Sequence, residues 1–283
     1  MITQVGVTKP KPFLKWVGGK RQLIPQFDKY FPKTFESYFE PFFGGGAMFF
    51  HLAPVTGYIN DINKALSNSY KNIKNHVNPL IVILKHIELE YFSLSEDEQK
   101  EYFYARRAEY NVESPESLRK TTLLIFLNKT CFNGLYRENR KGEFNVPFGK
   151  HRHPTICDET NLKDVSKALK YVKILSGSYE KALKTAKEGD FVYLDPPYDP
   201  VNATSSFTSY SIDDFNKDDQ RKLKVVFDEL TERGCIVALS NSDTPFMRDL
   251  YKDYRQETLL ASRFINSKGN GRGKVTELLV LNY

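Results

Sequence analysis

No stretch of this sequence stays apolar long enough to cross a bilayer. The longest apolar run near its middle, Leu123-Leu124-Ile125-Phe126-Leu127, is far short of the roughly 18 residues a membrane span needs. The opening MITQVGVTKPKPF has no apolar core of a secretory signal. Cysteine is scarce: Cys131, Cys157 and Cys235 are odd in number, and none forms a CxxC pair. That argues against a disulfide framework or a cysteine-bound zinc and fits a reducing compartment. His151 and His153 lie close together, but nothing near them completes a metal site, so no metal is expected. Repeats and low-complexity tracts are absent. A cytoplasmic, membrane-free protein is expected.

Apolar residues make up 40% of the 283 and aromatics 14%, enough for a real core and too much for a disordered chain. The length exceeds one modal domain, so one large domain with an insertion, or two domains, is expected. A net charge of +6 permits nucleic-acid binding without requiring it. The distribution says more. Six basic residues (Lys129, Arg137, Arg140, Lys141, Lys150, Arg152) stand against Glu138 and Glu143 between Lys129 and His153. A second cluster, Lys268 to Lys274, holds Lys268, Arg272 and Lys274 among three glycines, with no acid. Basic runs are usually solvated faces; glycines and concentration in two loops favour phosphate contact here.

Short apolar or aromatic segments bounded by turn residues predict strands at Tyr38–Glu40, Tyr58–Asn60, Val172–Leu175, Phe191–Leu194, Ile236–Ser240 and Val275–Asn282. Alternation with helical segments predicts an α/β fold with a mostly parallel sheet, its last strand antiparallel at or near the edge. From Asn63 to about Asn128 the pattern is helical throughout, with apolar positions such as Leu80, Ile83, Leu84 and Ile87 at helical spacing. A Gly/Asn/Arg-rich loop follows, Asn133 to Pro154. Residues 63–157 therefore read as an insertion into a domain built from 1–62 and 158–283.

The sharpest chemical signal is Asp195-Pro196-Pro197-Tyr198, directly after the apolar Phe191-Val192-Tyr193-Leu194. The carboxyl end of a parallel strand is where α/β sheets bind ligands. Two prolines stiffen the backbone there, leaving a carboxylate, a free carbonyl and an aromatic face at one spot. An exocyclic amine of adenine or cytosine is a poor nucleophile because its lone pair is delocalised into the ring. If its N–H groups donate to the Asp195 carboxylate and the Pro196 carbonyl, the nitrogen is driven toward a pyramid whose lone pair can meet a sulfonium methyl. Tyr198 could stack on the extruded base. An ordinary carboxylate, with pKa near about 4, is a weak base, so Asp195 is assigned to positioning and electrostatic stabilisation first.

Phe39-Glu40-Pro41-Phe42-Phe43-Gly44-Gly45-Gly46-Ala47 offers a glycine turn that lets backbone approach a ligand. Asn60-Asp61-Ile62-Asn63 follows about one strand later, where an acid holds a ribose diol. This pairing also suits a nicotinamide enzyme, although GxGxxG is broken by Phe49. Phe13-Leu14-Lys15-Trp16-Val17-Gly18-Gly19-Lys20 fails as a phosphate loop because Arg21 follows the lysine; the lone Trp16 fits a cap over an anionic or aromatic ligand. Asn133-Gly134-Leu135-Tyr136-Arg137 with Gly142-Glu143-Phe144-Asn145-Val146-Pro147-Phe148-Gly149-Lys150 reads as a hairpin with a polar tip. Arg137 could meet a guanine edge and Leu135 could wedge a base step.

In their order along the chain, FLKWVGGK, FEPFFGGGAMFF, NDIN, the insertion and DPPY resemble the Dam family of DNA adenine-N6 methyltransferases, the D12 class. The resemblance implies a Rossmann-like S-adenosylmethionine-dependent methyltransferase sheet with an inserted helical and hairpin DNA-recognition domain. It implies S-adenosylmethionine as cofactor and double-stranded DNA as partner, with a monomer expected. Trp16, Lys20, Asp61 and Asp195 match the family's cofactor-binding positions, Asp61 holding the ribose. Glu40 and Phe42 line the same pocket beside the Gly44–Gly46 turn, and Ser178-Tyr179 packs on the cofactor adenine. NGLYRENRKGEFNVPFG looks like members that methylate GATC, with Asn133, Leu135, Arg137 and Pro147 reading or wedging the site and Lys15 contacting a base. Some relatives have Tyr where His151 stands and an acid where Ser178 stands. Residues 203–208 would lie along the DNA, and Lys150, Arg152, Lys268 and Arg272 are expected at phosphates.

Cytosine-N4 methylation uses the same amine chemistry and stays open on the residues alone. Cytosine-C5 methylation needs a nucleophilic cysteine, typically after proline, and no cysteine here follows one. A nicotinamide-dependent oxidoreductase is disfavoured by the broken glycine fingerprint and by DPPY. A non-enzymatic DNA-binding protein would leave two cofactor motifs unexplained.

Overall fold

The protein is described from a computed structural model at residues 9–201, 215–262 and 274–283. The expectations placed on residues 203–208, Lys268 and Arg272 lie outside the described residues. The chain divides into two compact units. One comprises Met1–Gly19, Gly44–Val55 and Asp61–Ser176, the other Lys20–Phe43, Thr56–Asn60 and Gly177–Tyr283. The segment 63–157, read as an insertion, lies wholly in the first unit, which also takes in stretches on both sides of it.

The second unit is a sheet with helices. Its strands are β1 (Tyr38–Glu40), β2 (Gly57–Asp61, whose last residue counts with the first unit), β4 (Phe191–Leu194), β5 (Ile236–Ser242), β6 (Arg255–Ser262) and β7 (Lys274–Leu281); β3 (Val172–Ser176) belongs to the first unit. Their order is β2-β1-β4-β5-β7-β6. β2, β1, β4 and β5 run parallel, and β7 lies antiparallel between β5 and β6. The antiparallel last strand was expected; β6 was not. Its sequence RQETLLAS is too polar to announce a buried strand, and charged residues are what a sheet edge tolerates.

β4 shows why the sheet is stable. Val192 and Leu194 join a buried cluster with Leu223, Phe227 and Leu230 of α8 (Lys217–Glu232), Leu183 of α7 (Tyr179–Leu183) and Met247 of α9 (Pro245–Leu250). Phe191 and Tyr193 point the other way, as strand alternation requires. They meet Phe27 of α1 (Ile24–Phe27) and Phe31, with Phe31 5.1 Å from Phe191 and 5.4 Å from Tyr193 between ring centroids. A strand buried on both faces explains the unbroken apolar run FVYL.

The first unit is helical: α2 (Ala47–Leu52), α3 (Lys64–Ser93), α4 (Glu96–Val112), α5 (Leu118–Thr130) and α6 (Glu159–Ala168). The stretch read as helical from Asn63 to about Asn128 is three helices separated by two breaks. α3 ends at Leu94, and Ser95 starts α4 with a capping box to Glu98; Ser117 starts α5 by accepting from the Lys120 amide at 2.9 Å. α3 itself is kinked at His76 (φ −137°, ψ 35°), just before Pro79, whose ring clashes with the preceding turn. Leu66, Tyr70, Leu80, Leu84 and Ile87 line its buried stripe, and Leu123–Leu127 of α5 is buried. Among the described residues no helix is long and apolar enough to cross a membrane.

Candidate cofactor and DNA site

In the second unit, β1 and β4 are neighbours whose chain continues to opposite sides, to β2 and to β5. Such a switch point is where open α/β sheets hold ligands. The carboxyl end of β4 delivers Asp195, half-buried. The Lys20 ammonium lies 3.0 Å from Asp195 Oδ1 and 4.6 Å from the Tyr198 ring centroid. Burial pushes the Asp195 carboxyl up to about 6, with Lys20 pulling against it. The Tyr198 hydroxyl donates to Glu277 Oε2 of β7 at 2.7 Å, and burial, then the nearby carboxylates, hold that hydroxyl protonated. Pro196 is buried and Pro197 exposed.

The end of β1, the strand beside β4, presents the next group of candidate residues in this unit. Glu40 is buried and accepts from the Tyr38 hydroxyl at 2.9 Å. The Phe42 ring lies 5.2 Å from Tyr179 and 6.1 Å from Phe215. Phe215, which the sequence reading missed, makes this an aromatic trio. Ser178 is the N-cap of α7, with no side-chain cap bond. Buried Asn60 donates to the carbonyls of Pro41 (3.0 Å) and Gly177 (2.9 Å), tying these two turns together.

In the first unit, Asp61 is bound by the glycine turn. Its Oδ2 accepts from the Gly44 amide at 2.8 Å and its Oδ1 from the Asn63 amide at 2.9 Å. Burial raises its pKa, and these two amides oppose the rise. Each oxygen keeps a lone pair that could accept a further hydrogen bond. Gly44 has φ +50°, and a Cβ there would sit 3.0 Å from Trp16 Cδ1. Trp16 therefore packs directly over the turn, and a side chain at position 44 would strain the backbone and press on the indole. Gly46 is the left-handed N-cap of α2, and Tyr70 of α3 donates its hydroxyl to the Gly44 carbonyl at 3.1 Å.

The hairpin is present as two isolated antiparallel bridges, Cys131 with Phe148 and Glu138 with Phe144. Its tip turns at Asn139–Gly142, where the Asn139 side chain accepts from the Lys141 and Glu143 amides. Trp16 stacks on Tyr136 at 4.8 Å. Asn133 (φ +56°), Arg137, Pro147, Lys150 and Arg152 are exposed, and Leu135 is half-buried. Arg137 Nε donates to Asn145 Oδ1 at 2.7 Å, which fixes the guanidinium plane; Asn145 was not anticipated. Lys15 is exposed, while Asn128, buried, accepts from its amide at 2.8 Å and donates to the carbonyls of Lys15 and Gly134 at 3.0 and 2.9 Å. His151 faces the Cys131 carbonyl at 3.0 Å. It also borders an open cleft of about 390 Å³ lined by Lys15, Lys129, Arg152 and His153. No group of three or more metal-ligating side chains occurs among the described residues.

Residues 16–263 match the model of the D12 class N6 adenine-specific DNA methyltransferases. The chain is 45% identical to type II methyltransferase M.MjaIII of Methanocaldococcus jannaschii, covering 96% of this chain and 99% of that one. It is 40% identical to type II methyltransferase M1.LlaDCHI of Lactococcus lactis subsp. cremoris (96% and 95%) and 33% identical to the DNA adenine methylase of Escherichia coli K12 (96% and 95%). This family takes its methyl group from S-adenosylmethionine, and the oxidoreductase and cytosine-N4 readings fall away. The chain belongs to the D12 class of N6 adenine-specific DNA methyltransferases.

Proposed function

We propose that the protein methylates the adenine of GATC in duplex DNA after turning that base out of the helix. The observation that carries the chemistry is the Asp195–Tyr198 turn at the end of β4, with Lys20 beside the carboxylate and Glu277 on the tyrosine. The adenine amine donates to Asp195 and to the Pro196 carbonyl, which localises its lone pair, and Tyr198 stacks on the ring. Extrusion follows from the chemistry, because the amine is paired and shielded inside a duplex. Asp61 holds the cofactor ribose, Trp16 covers the glycine turn, and Phe42, Ser178 and Tyr179 contact the cofactor adenine. Lys20 holds the Asp195 carboxylate in its charged form.

Specificity belongs to the hairpin. Arg137, its plane set by Asn145, suits the bidentate O6/N7 edge of guanine. Leu135 wedges a base step, and Asn133, Pro147 and Lys15 complete the reading surface. Lys150 and Arg152 neutralise phosphates. Plasmid DNA treated with the protein and S-adenosylmethionine, then digested with paired methyl-sensitive and methyl-dependent GATC nucleases, tests this. Protection from the first and cleavage by the second are expected; cleavage by the first alone would reject the site.

A further inference from the structure

Behind the Asp195–Tyr198 turn lies a buried polar network in the second unit. Gln220, in the second turn of α8, donates from Nε2 to the Pro197 carbonyl at 2.9 Å. Asn241, in β5, donates from Nδ2 to Gln220 Oε1 at 3.2 Å, and its Oδ1 accepts from the amides of Asp199 (2.9 Å) and Ser242 (2.8 Å). Thr244 donates its hydroxyl to Asp199 Oδ2 at 2.7 Å. Gln220 is 1% exposed, Asn241 0% and Asp199 4%.

The pattern of partners matters more than their number. The two backbone groups that Gln220 and Asn241 hold, the Pro197 carbonyl and the Asp199 amide, flank Tyr198 on either side. Tyr198 is thus fixed through its backbone on both sides and through its hydroxyl by Glu277. Pro197 restricts the ψ of Pro196 to extended values, but the ψ of Pro197 stays open, so the two prolines do not by themselves fix the direction of the Pro197 carbonyl or the plane of the Tyr198 ring. Burying two amides in a sheet core is costly compared with apolar side chains of the same shape. A wall built only for stability would be filled more cheaply by Leu or Met.

We propose that Gln220 and Asn241 are positioning residues for methyl transfer, an amide clamp that holds the backbone on either side of Tyr198 and so sets its ring against the reacting base. The inference rests on the reading that the Asp195–Tyr198 turn carries the chemistry. Neither side chain needs to touch DNA or cofactor. Loss of the clamp leaves both bound while the amine and methyl meet in poorer geometry.

The test uses the full-length protein with S-adenosylmethionine and a duplex bearing one GATC. Gln220→Met keeps the volume and removes the bond to Pro197. Gln220→Asn keeps the amide but falls one methylene short, and serves if the first variant does not fold. For either, the single-turnover methylation rate should fall about 10- to 100-fold while the dissociation constants for duplex and cofactor stay within about threefold. A wild-type rate in both variants would overturn the clamp. So would a rate and two affinities that fall by one common factor matching the loss of folded protein seen by circular dichroism. Asp195→Ala, run in parallel, separates the two readings. If it abolishes transfer while the Gln220 variants keep the wild-type rate, the clamp alone is wrong. If it retains transfer, the role of the turn fails and the clamp with it.

Discussion

Burial and a nearby ammonium act against each other at Asp195. Desolvation favours the neutral acid and Lys20 favours the carboxylate; the balance puts the group at about 6 rather than 3.8. The folded chain therefore holds this proton to higher pH than the unfolded chain. Asp195 supports stability fully below about pH 3.8, and that support is lost as pH rises through about 6. On the proposed role of Asp195, activity runs the other way, because the amine would donate to its carboxylate. The single-turnover rate should fall below about pH 6 with the slope of one proton. Lys20→Met should move that midpoint upward at saturating cofactor; an unmoved midpoint in a pH–rate profile would dissociate Lys20 from Asp195. Asp195→Ala should abolish transfer with DNA affinity largely kept, checked by filter binding beside methyl incorporation. Asp61→Ala should raise the cofactor KM more than it lowers kcat; the reverse would argue against a ribose contact. Asp195, Asp61 and Trp16 were legible in the sequence because turn chemistry marks them. Glu277, Gln220 and Asn241 were not, because they come from β7, α8 and β5 and meet the turn only through the sheet register.

At the scale of elements, the first-unit hairpin offers the sharpest test. Its bridges are too few to form a regular ladder, so Asn139, Gly142 and the Arg137–Asn145 pair carry much of its geometry. Arg137→Ala should relax discrimination at one base pair by about 1–3 kcal/mol, read by comparing kcat/KM on GATC and singly substituted duplexes; unchanged ratios would remove Arg137 as a reader. Asn145→Ala should weaken the same base pair less, since it loosens the guanidinium without deleting it. Four parallel strands and the antiparallel β7 could be read from apolar segments ending in Asp, Pro or Asn. β6 could not, because an edge strand alternates too weakly. The breaks in the helical stretch fall at the N-caps Ser95 and Ser117, which apolar periodicity alone does not mark.

Over the whole molecule, a net charge of +6 and exposed Lys15, Arg137, Lys150 and Arg152 favour binding to a polyanion. Affinity for duplex should drop steeply with salt, and the Lys150→Gln/Arg152→Gln double variant should reduce the logarithmic salt slope by about 2, one per phosphate contact. An unchanged slope would remove these side chains from the phosphate path. The two-texture organisation was visible from composition and periodicity. The division into two units was harder to read, because the N-terminal segment and the Gly44–Val55 stretch join the helical unit through contacts distant in sequence.

Duplexes carrying a single GATC, incubated with the protein and S-adenosylmethionine bearing a labelled methyl group, then digested to nucleosides and resolved by mass, test the central claim most directly. Label in N6-methyladenine from GATC duplexes, and none from duplexes with any of the four bases changed, is the expected result. Label in N4-methylcytosine, or in adenine regardless of sequence, would contradict it.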